Sequence, residues 1–244
     1  MNSFNIDSIV CLLEAIKEHG IPGLVFSSSC TVYGQPDELP VTEDTPFKPA
    51  ESPYGNTKQI CEEILRDTCR ADEKTKSIAL RYFNPVGAHD SALIGELPLG
   101  VPNNLVPLIT QTAAGIRKEL WVFGNDYDTS DGSAVRDYIH VVDLAKAHVT
   151  AVQRMAGGTQ SKNYEFFNLG TGSGFTVLEV IRVFERVTGI KVNYKIVGRR
   201  PGDVAKIFAD TTVANQVLGW KAEKGIDEMM LSAWKWQQTL MGNL

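Results

Sequence analysis

GLVFSSS, residues 23–29, runs apolar and then small and hydroxylic before CTVYG at 30–34. A run of this kind reads as a short buried strand. Residues 7–19, DSIVCLLEAIKEH, place apolar side chains at helical spacing and stop at Gly20. Residues 54–71, YGNTKQICEEILRDTCRA, carry an amphipathic helical pattern, and SIALRYFNPVG, 77–87, reads as a second buried strand running into a loop. Helical patterns recur near 104–116, 142–156 and 226–241, and strand patterns at 163–170 and 191–197. Thr176 with Glu179 predicts a capping box for a helix that ends near Gly189. The polar, proline-bearing stretch from Gly34 to Pro53 reads as a surface loop. Helices alternating with strands indicate an α/β fold with a parallel sheet.

The bulk numbers narrow the function classes. Of 244 residues 43% are hydrophobic, enough for a large core in one or two domains, and the net charge is -5. No basic patch is visible, so nucleic acid is not an expected partner. No apolar window approaches the length of a membrane span, and MNSFNIDSIV lacks the pattern of a signal peptide. Cys11, Cys30, Cys61 and Cys69 form no C-x-x-C pair and read as free thiols of a cytoplasmic protein.

Two motifs invite a cofactor or metal reading and fail it. Gly170-Thr171-Gly172-Ser173-Gly174 lies between a strand and a helix, but Phe175 stands where the third fingerprint glycine belongs. No acid follows at 189–195 to hold a ribose, so a structural turn is expected. Asp126, Asp128 and Asp131 sit in a loop whose required glycine and final glutamate positions hold Asp131 and Asp137, so no calcium site is expected. His140 and His148 have no third ligand at suitable spacing. No metal is predicted.

Tyr54 and Lys58 are four apart at the start of a predicted helix, which places both on one face. A nearby ammonium favours the phenolate, so Lys58 is expected to lower the pKa of Tyr54. Such a tyrosine can take a hydroxyl proton near neutral pH, which frees the carbon to release hydride to a nicotinamide. Ser29 ends the first strand, where a hydroxyl reaches the carboxyl edge of a parallel sheet. RYFNP after the next strand is expected to bring Asn84 to the same edge.

FSSSCTVYG, SPYGNTK, LRYFNPVGAH, PNNLVPLI, VFGNDYDTSDGSAVRDYIHVVDLA, FFNLGTG and GRRPGDVA, in that order, resemble the extended short-chain dehydrogenase/reductase family. More narrowly they resemble the UDP-glucose 4-epimerases, from about residue 6 to the end. The resemblance implies a Rossmann-type doubly wound sheet, a smaller C-terminal α/β substrate-binding domain, NAD as cofactor and a homodimer joined through helices at about 7–19 and 54–71. It implies that UDP-galactose and UDP-glucose are interconverted through a 4-keto sugar. Ser29, Tyr54 and Lys58 would be the catalytic trio and would also face the cofactor, with Phe83 and Asn5 beside it. Asn84, Asn104, Leu105, Phe123, Arg136, Arg200 and Asp203 would hold the nucleotide, and Ile207 would line the sugar pocket, with room for N-acetylated sugars. Related dehydratases carry an Asp-Glu pair after the strand hydroxyl; Cys30-Thr31 stands here, which favours epimerisation. Another NAD-dependent UDP-sugar epimerase, for UDP-N-acetylglucosamine or UDP-glucuronate, and a non-catalytic UDP-sugar-binding module are the alternatives.

The chain departs from the family at its start. The family opens on a strand and a G-x-x-G-x-x-G turn, whereas this chain opens near the helix before the serine strand, with Phe4-Asn5 where the family has Asn-Asn. A partial parallel sheet lacking its N-terminal half is therefore expected. Residues 1–86 with 142–170 would be the remaining cofactor region, and 87–141 with 171–244 mainly the substrate region. The chain by itself is expected to hold NAD poorly and to turn over little.

Overall fold

The computed structural model describes residues 2–200 and 202–242, with side chains from residue 6 onward. In chain order the elements are α1 (Asn2–His19), β1 (Gly23–Ser29), a 3-10 turn (Cys30–Tyr33), α2 (Pro53–Ala71), β2 (Lys76–Tyr82), β3 (Asn84–Val86), α3 (Leu105–Ala113) and β4 (Leu120–Phe123). Then come β5 (Val135–His140), α4 (Val141–Ala156), β6 (Tyr164–Leu169), β7 (Gly174–Thr176), α5 (Val177–Thr188), β8 (Tyr194–Val197), β9 (Lys206–Ile207) and α6 (Ile226–Leu240). They fall into two compact units, 1–83 with 146–169 and 209–221, and 84–145 with 170–208 and 222–244.

The first unit is built on a parallel sheet of order β1-β2-β6. The register aligns Ser29 with Tyr82 and Tyr82 with Leu169, so all three strands end level at one carboxyl edge. Alternation along β1 sends Phe26 toward α2, where it packs on Ile9, Cys61 and Leu65. Ser27 points the other way, to His148 of α4. Helices therefore cover both faces, the doubly wound arrangement. Leu65 is fully buried, and its truncation to alanine would cost about 2–5 kcal/mol. Among the described residues β1 pairs with β2 alone. Val149 and Val152 of α4 are 56% and 54% exposed. The segment 209–221, which the sequence assigns to the substrate region, belongs to this unit, because Ala209 bridges Val41 and Val217 accepts from Arg154.

The second unit holds a mixed sheet, β3-β5-β7 with β9 also on β5, and a separate parallel pair, β4 with β8. Its core joins Val106 and Ile109 of α3, Val180, Ile181 and Phe184 of α5, and Met229 and Met230 of α6. The Thr176–Glu179 capping box is formed, and α5 ends at Gly189 in the left-handed region (φ 73°). The single strand expected at 77–87 is two. Phe83 closes the first sheet by donating to the Leu169 carbonyl, and Asn84 then opens β3 against Tyr138 in another sheet. Asn84 thus opens the second unit.

Candidate active site

Local sequence sets the trio. Ser52 caps α2 by accepting from the Gly55 amide at 3.1 Å, and Pro53 occupies the first helical position, which places Tyr54 in the opening turn. A side chain at Gly55 would sit 3.1 Å from the Thr31 carbonyl, so the glycine lets the helix start lie against the turn after β1. Ser29 caps that turn by accepting from the Thr31 amide at 3.3 Å. Ser29 and Tyr54 are close enough for the serine hydroxyl to act on the ionisation of the phenol. Lys58, 9% exposed, donates to the Ser27 carbonyl at 2.8 Å, with its ammonium 5.5 Å from the centre of the Tyr54 ring. Ser29, Tyr54 and Lys58 are therefore assembled at the carboxyl edge of the three-stranded sheet.

The electrostatics differ from the expectation. Burial raises the pKa of Tyr54, Tyr82 and Cys30 push the same way, and the nearby Ser29 hydroxyl opposes them. Burial lowers that of Lys58, against Cys61 and Glu62. The expected lowering of Tyr54 by Lys58 is absent because both groups are partly desolvated and the ammonium is turned to a backbone carbonyl. Tyr82 is a neighbour that the sequence reading overlooked. It sits level with Ser29, and its only signal was its place at the end of the second strand.

Phe83 is 3% exposed in the first unit, directly after β2. Asn5 lies outside the residues whose side chains are described. The glycine-rich Gly170–Gly174 stretch has its donors in use. The amides of Thr171 and Gly172 both go to the Asp137 carboxylate, at 2.8 and 3.1 Å.

The second unit gathers a charged and aromatic cluster. Asp203 accepts from Arg200 at 2.8 Å and lies 3.9 Å from Arg136, and the Arg200 guanidinium stands 5.4 Å from the centre of the Phe123 ring. Arg136 and Ile207 are register partners on β5 and β9. Phe123, Arg136, Arg200, Asp203 and Ile207 are thus brought together. Asn104 and Leu105 are at the start of α3, where Asn104 donates to Glu96 at 2.7 Å. Two arginines converging on one aspartate form a fork suited to a diphosphate beside a ribose. The loop aspartates tie structure together: Asp126 holds Arg199, and Asp131 holds Ser133, Thr176 and Arg182. Among the described residues no three His, Cys, Asp or Glu side chains gather as a metal site.

A family model described as GDP-mannose 4,6 dehydratase matches residues 2–232. The UDP-glucose 4-epimerase of Bacillus subtilis (strain 168) is 50% identical over 96% of this chain and 68% of its own length. The chain belongs to the UDP-glucose 4-epimerase family. The Drosophila melanogaster UDP-glucose 4-epimerase is 51% identical over 96% of this chain and 66% of its own length. The UDP-glucose 4-epimerase of Bifidobacterium longum, solved in complex with NAD+ and UDP, superposes with a TM-score of 0.91 at 49% identity, over 98% of this chain and 70% of that one. The chain thus spans about two thirds of the length of the UDP-glucose 4-epimerases it matches.

Proposed function

We propose that this chain carries the catalytic trio and the nucleotide clamp of an NAD-dependent UDP-glucose 4-epimerase, interconverting UDP-galactose and UDP-glucose through a 4-keto sugar. The observation that carries this is the placement of Ser29 at the end of β1 beside the first turn of α2, with the Lys58 ammonium on the Ser27 carbonyl and 5.5 Å from the centre of the Tyr54 ring. Tyr54 takes the proton of the sugar 4-hydroxyl and later returns it. Ser29 orients that hydroxyl. Lys58 keeps a positive charge close to the phenolate. NAD, when bound, supplies the hydride acceptor and donor. Arg136, Arg200, Asp203 and Phe123 hold the UDP, with Asn84, Asn104 and Leu105 on the same nucleotide. A firm grip on UDP lets the hexose turn and present either face.

The residues present fit only one end of NAD. Ser29, Tyr54, Lys58 and Phe83 suit the nicotinamide side, while the one glycine-rich turn spends its amides on Asp137. The 1–83 unit would contribute to cofactor binding and the 84–145 unit to substrate binding. Cys30-Thr31 after Ser29 supplies no acid for loss of water, which supports epimerisation over the dehydratase chemistry in the family model's description. A homodimer through α1 and α2, and a cytoplasmic location, complete the reading; among the described residues no helix is long and apolar enough to cross a membrane.

Calorimetric titration tests the proposal. UDP, UDP-glucose and UDP-galactose are expected to bind the chain saturably and in competition, and GDP-mannose not to. Absence of saturable UDP binding sinks it. The purified chain is expected to carry no NAD and to show little UDP-galactose turnover with NAD added. Ile207, 5% exposed, is expected to admit UDP-N-acetylglucosamine, with an affinity that rises relative to UDP-glucose in Ile207→Ala.

A further inference from the structure

Tyr54, Lys58 and Glu62 recur every fourth residue of α2, so one helical face carries the two reacting side chains and, a turn further on, a carboxylate with no part in the proposed reaction. Glu62 is 3% exposed and its environment is unusual. It accepts from Arg81 through Nε at 2.9 Å, from the Tyr164 hydroxyl at 2.9 Å and from the Ser28 hydroxyl. Arg81 is itself 4% exposed, stands 4.0 Å from the centre of the Phe166 ring, and donates onward to the Tyr33 hydroxyl at 2.9 Å. Tyr33 in turn donates to Asn168 at 2.7 Å.

The register gives this network its meaning. Ser28, Arg81 and Asn168 lie in one row across β1, β2 and β6, a single residue below the row of Ser29, Tyr82 and Leu169 that forms the carboxyl edge. Ser28 stands between Ser27, whose carbonyl holds Lys58, and Ser29, whose hydroxyl caps the turn after β1. A buried ion pair is a poor source of net stability, since desolvation offsets most of the attraction, and well-packed apolar residues often do as well. What a fully satisfied buried network supplies is a single arrangement.

We propose that Glu62 is a positioning residue for the Ser29–Tyr54–Lys58 trio, acting through Ser28 to fix the end of β1 against α2. This rests on the reading of the trio as the reacting groups, but its test uses neither nucleotide. The readout is the 1H–15N signal of the Lys58 ammonium in lysine-labelled protein near neutral pH in the cold, assigned by its loss in Lys58→Arg. A buried ammonium held on the Ser27 carbonyl exchanges slowly and is visible. Ser28→Ala and Glu62→Gln are expected to lose the signal while thermal melts show them folded. Tyr164→Phe, which removes a different bond to the same carboxylate, is expected to keep it and reports ordinary destabilisation. If Glu62→Gln does not fold, Ser28→Ala decides. The proposal is overturned if the signal persists in folded Ser28→Ala, if Tyr164→Phe loses it equally, or if the unsubstituted chain does not show it. The UDP titrations succeed or fail independently, so the two readings can be told apart.

Discussion

Lys58 donates its ammonium to the carbonyl of Ser27 at 2.8 Å, inside the first unit and two residues before Ser29. Burial lowers its pKa below the ordinary lysine value of 10.5. Below that pH the unfolded chain binds this proton more tightly than the folded one, so the stability linked to Lys58 rises as pH climbs toward 10.5. Urea unfolding of the wild type and of Lys58→Met at two alkaline pH values checks this. The difference is expected to move in favour of the wild type at the higher pH, and a constant difference contradicts it.

Arg81 and Glu62 are both almost wholly buried, and each is the other's counter-charge. Arg81→Ala leaves a carboxylate with no cation beside it in the core. The expected loss is about 3–5 kcal/mol in chemical denaturation, the usual cost of stranding one half of a buried pair. The exposed pair of Arg186 and Asp227 provides the contrast. Arg186→Ala is expected to leave the denaturation midpoint nearly unchanged, because an exposed pair is screened by solvent.

Arg200 joins the Asp203 carboxylate to the Phe123 ring, and Arg136 approaches the same acid. Each charge-assisted contact to a diphosphate contributes roughly 1.5–3 kcal/mol, so Arg200→Ala and Arg136→Ala are each expected to weaken UDP binding about 10- to 100-fold. Calorimetry with UDP reads the effect. Asp203→Asn keeps the shape and frees the arginines from an internal anion. It is expected to weaken uridine-containing ligands while strengthening retention of plain pyrophosphate.

β1 pairs on one side only among the described residues, and Val149 and Val152 stand more than half exposed on α4. An open strand edge beside exposed apolar side chains favours association. The weight-average mass from light scattering is expected to rise with concentration, and Val149→Lys with Val152→Glu is expected to reduce that rise. A monomer mass at every concentration for the unsubstituted chain speaks against this.

The long elements could be read because their signals are local. Gly23–Ser29 is a strand with the bounds its composition predicts, and the Thr176–Glu179 cap is a matter of two side chains three residues apart. Leu120–Phe123, Val135–His140 and Lys206–Ile207 carry weak signals of their own, because short strands with charged members are fixed by their partners, as Arg136 is by Phe175 and Ile207. The break at Phe83 is likewise invisible in SIALRYFNPVG, since only the bond to the Leu169 carbonyl shows where one sheet ends. The four-residue spacing of Tyr54 and Lys58 puts both on one helix face, but their proposed roles, and that of Ser29 at its strand end, come from the resemblance. Glu62 continues that spacing, but its purpose depends on Ser28 and Arg81, which lie 34 and 19 residues away in the chain. The direction of the Tyr54 shift could not be read from spacing, because it depends on how much water the fold removes.

The first unit is assembled from three separate stretches, the last of which closes only with Lys221. During synthesis β1, α2 and β2 leave the ribosome long before β6 and the strap bearing Ala209 arrive to cover them. At roughly 5–20 residues per second the nascent chain keeps an unfinished sheet for several seconds. That interval leaves an incomplete sheet open to misfolding, and substitutions that merely lower expression are expected to cluster in residues 23–82 and 164–169.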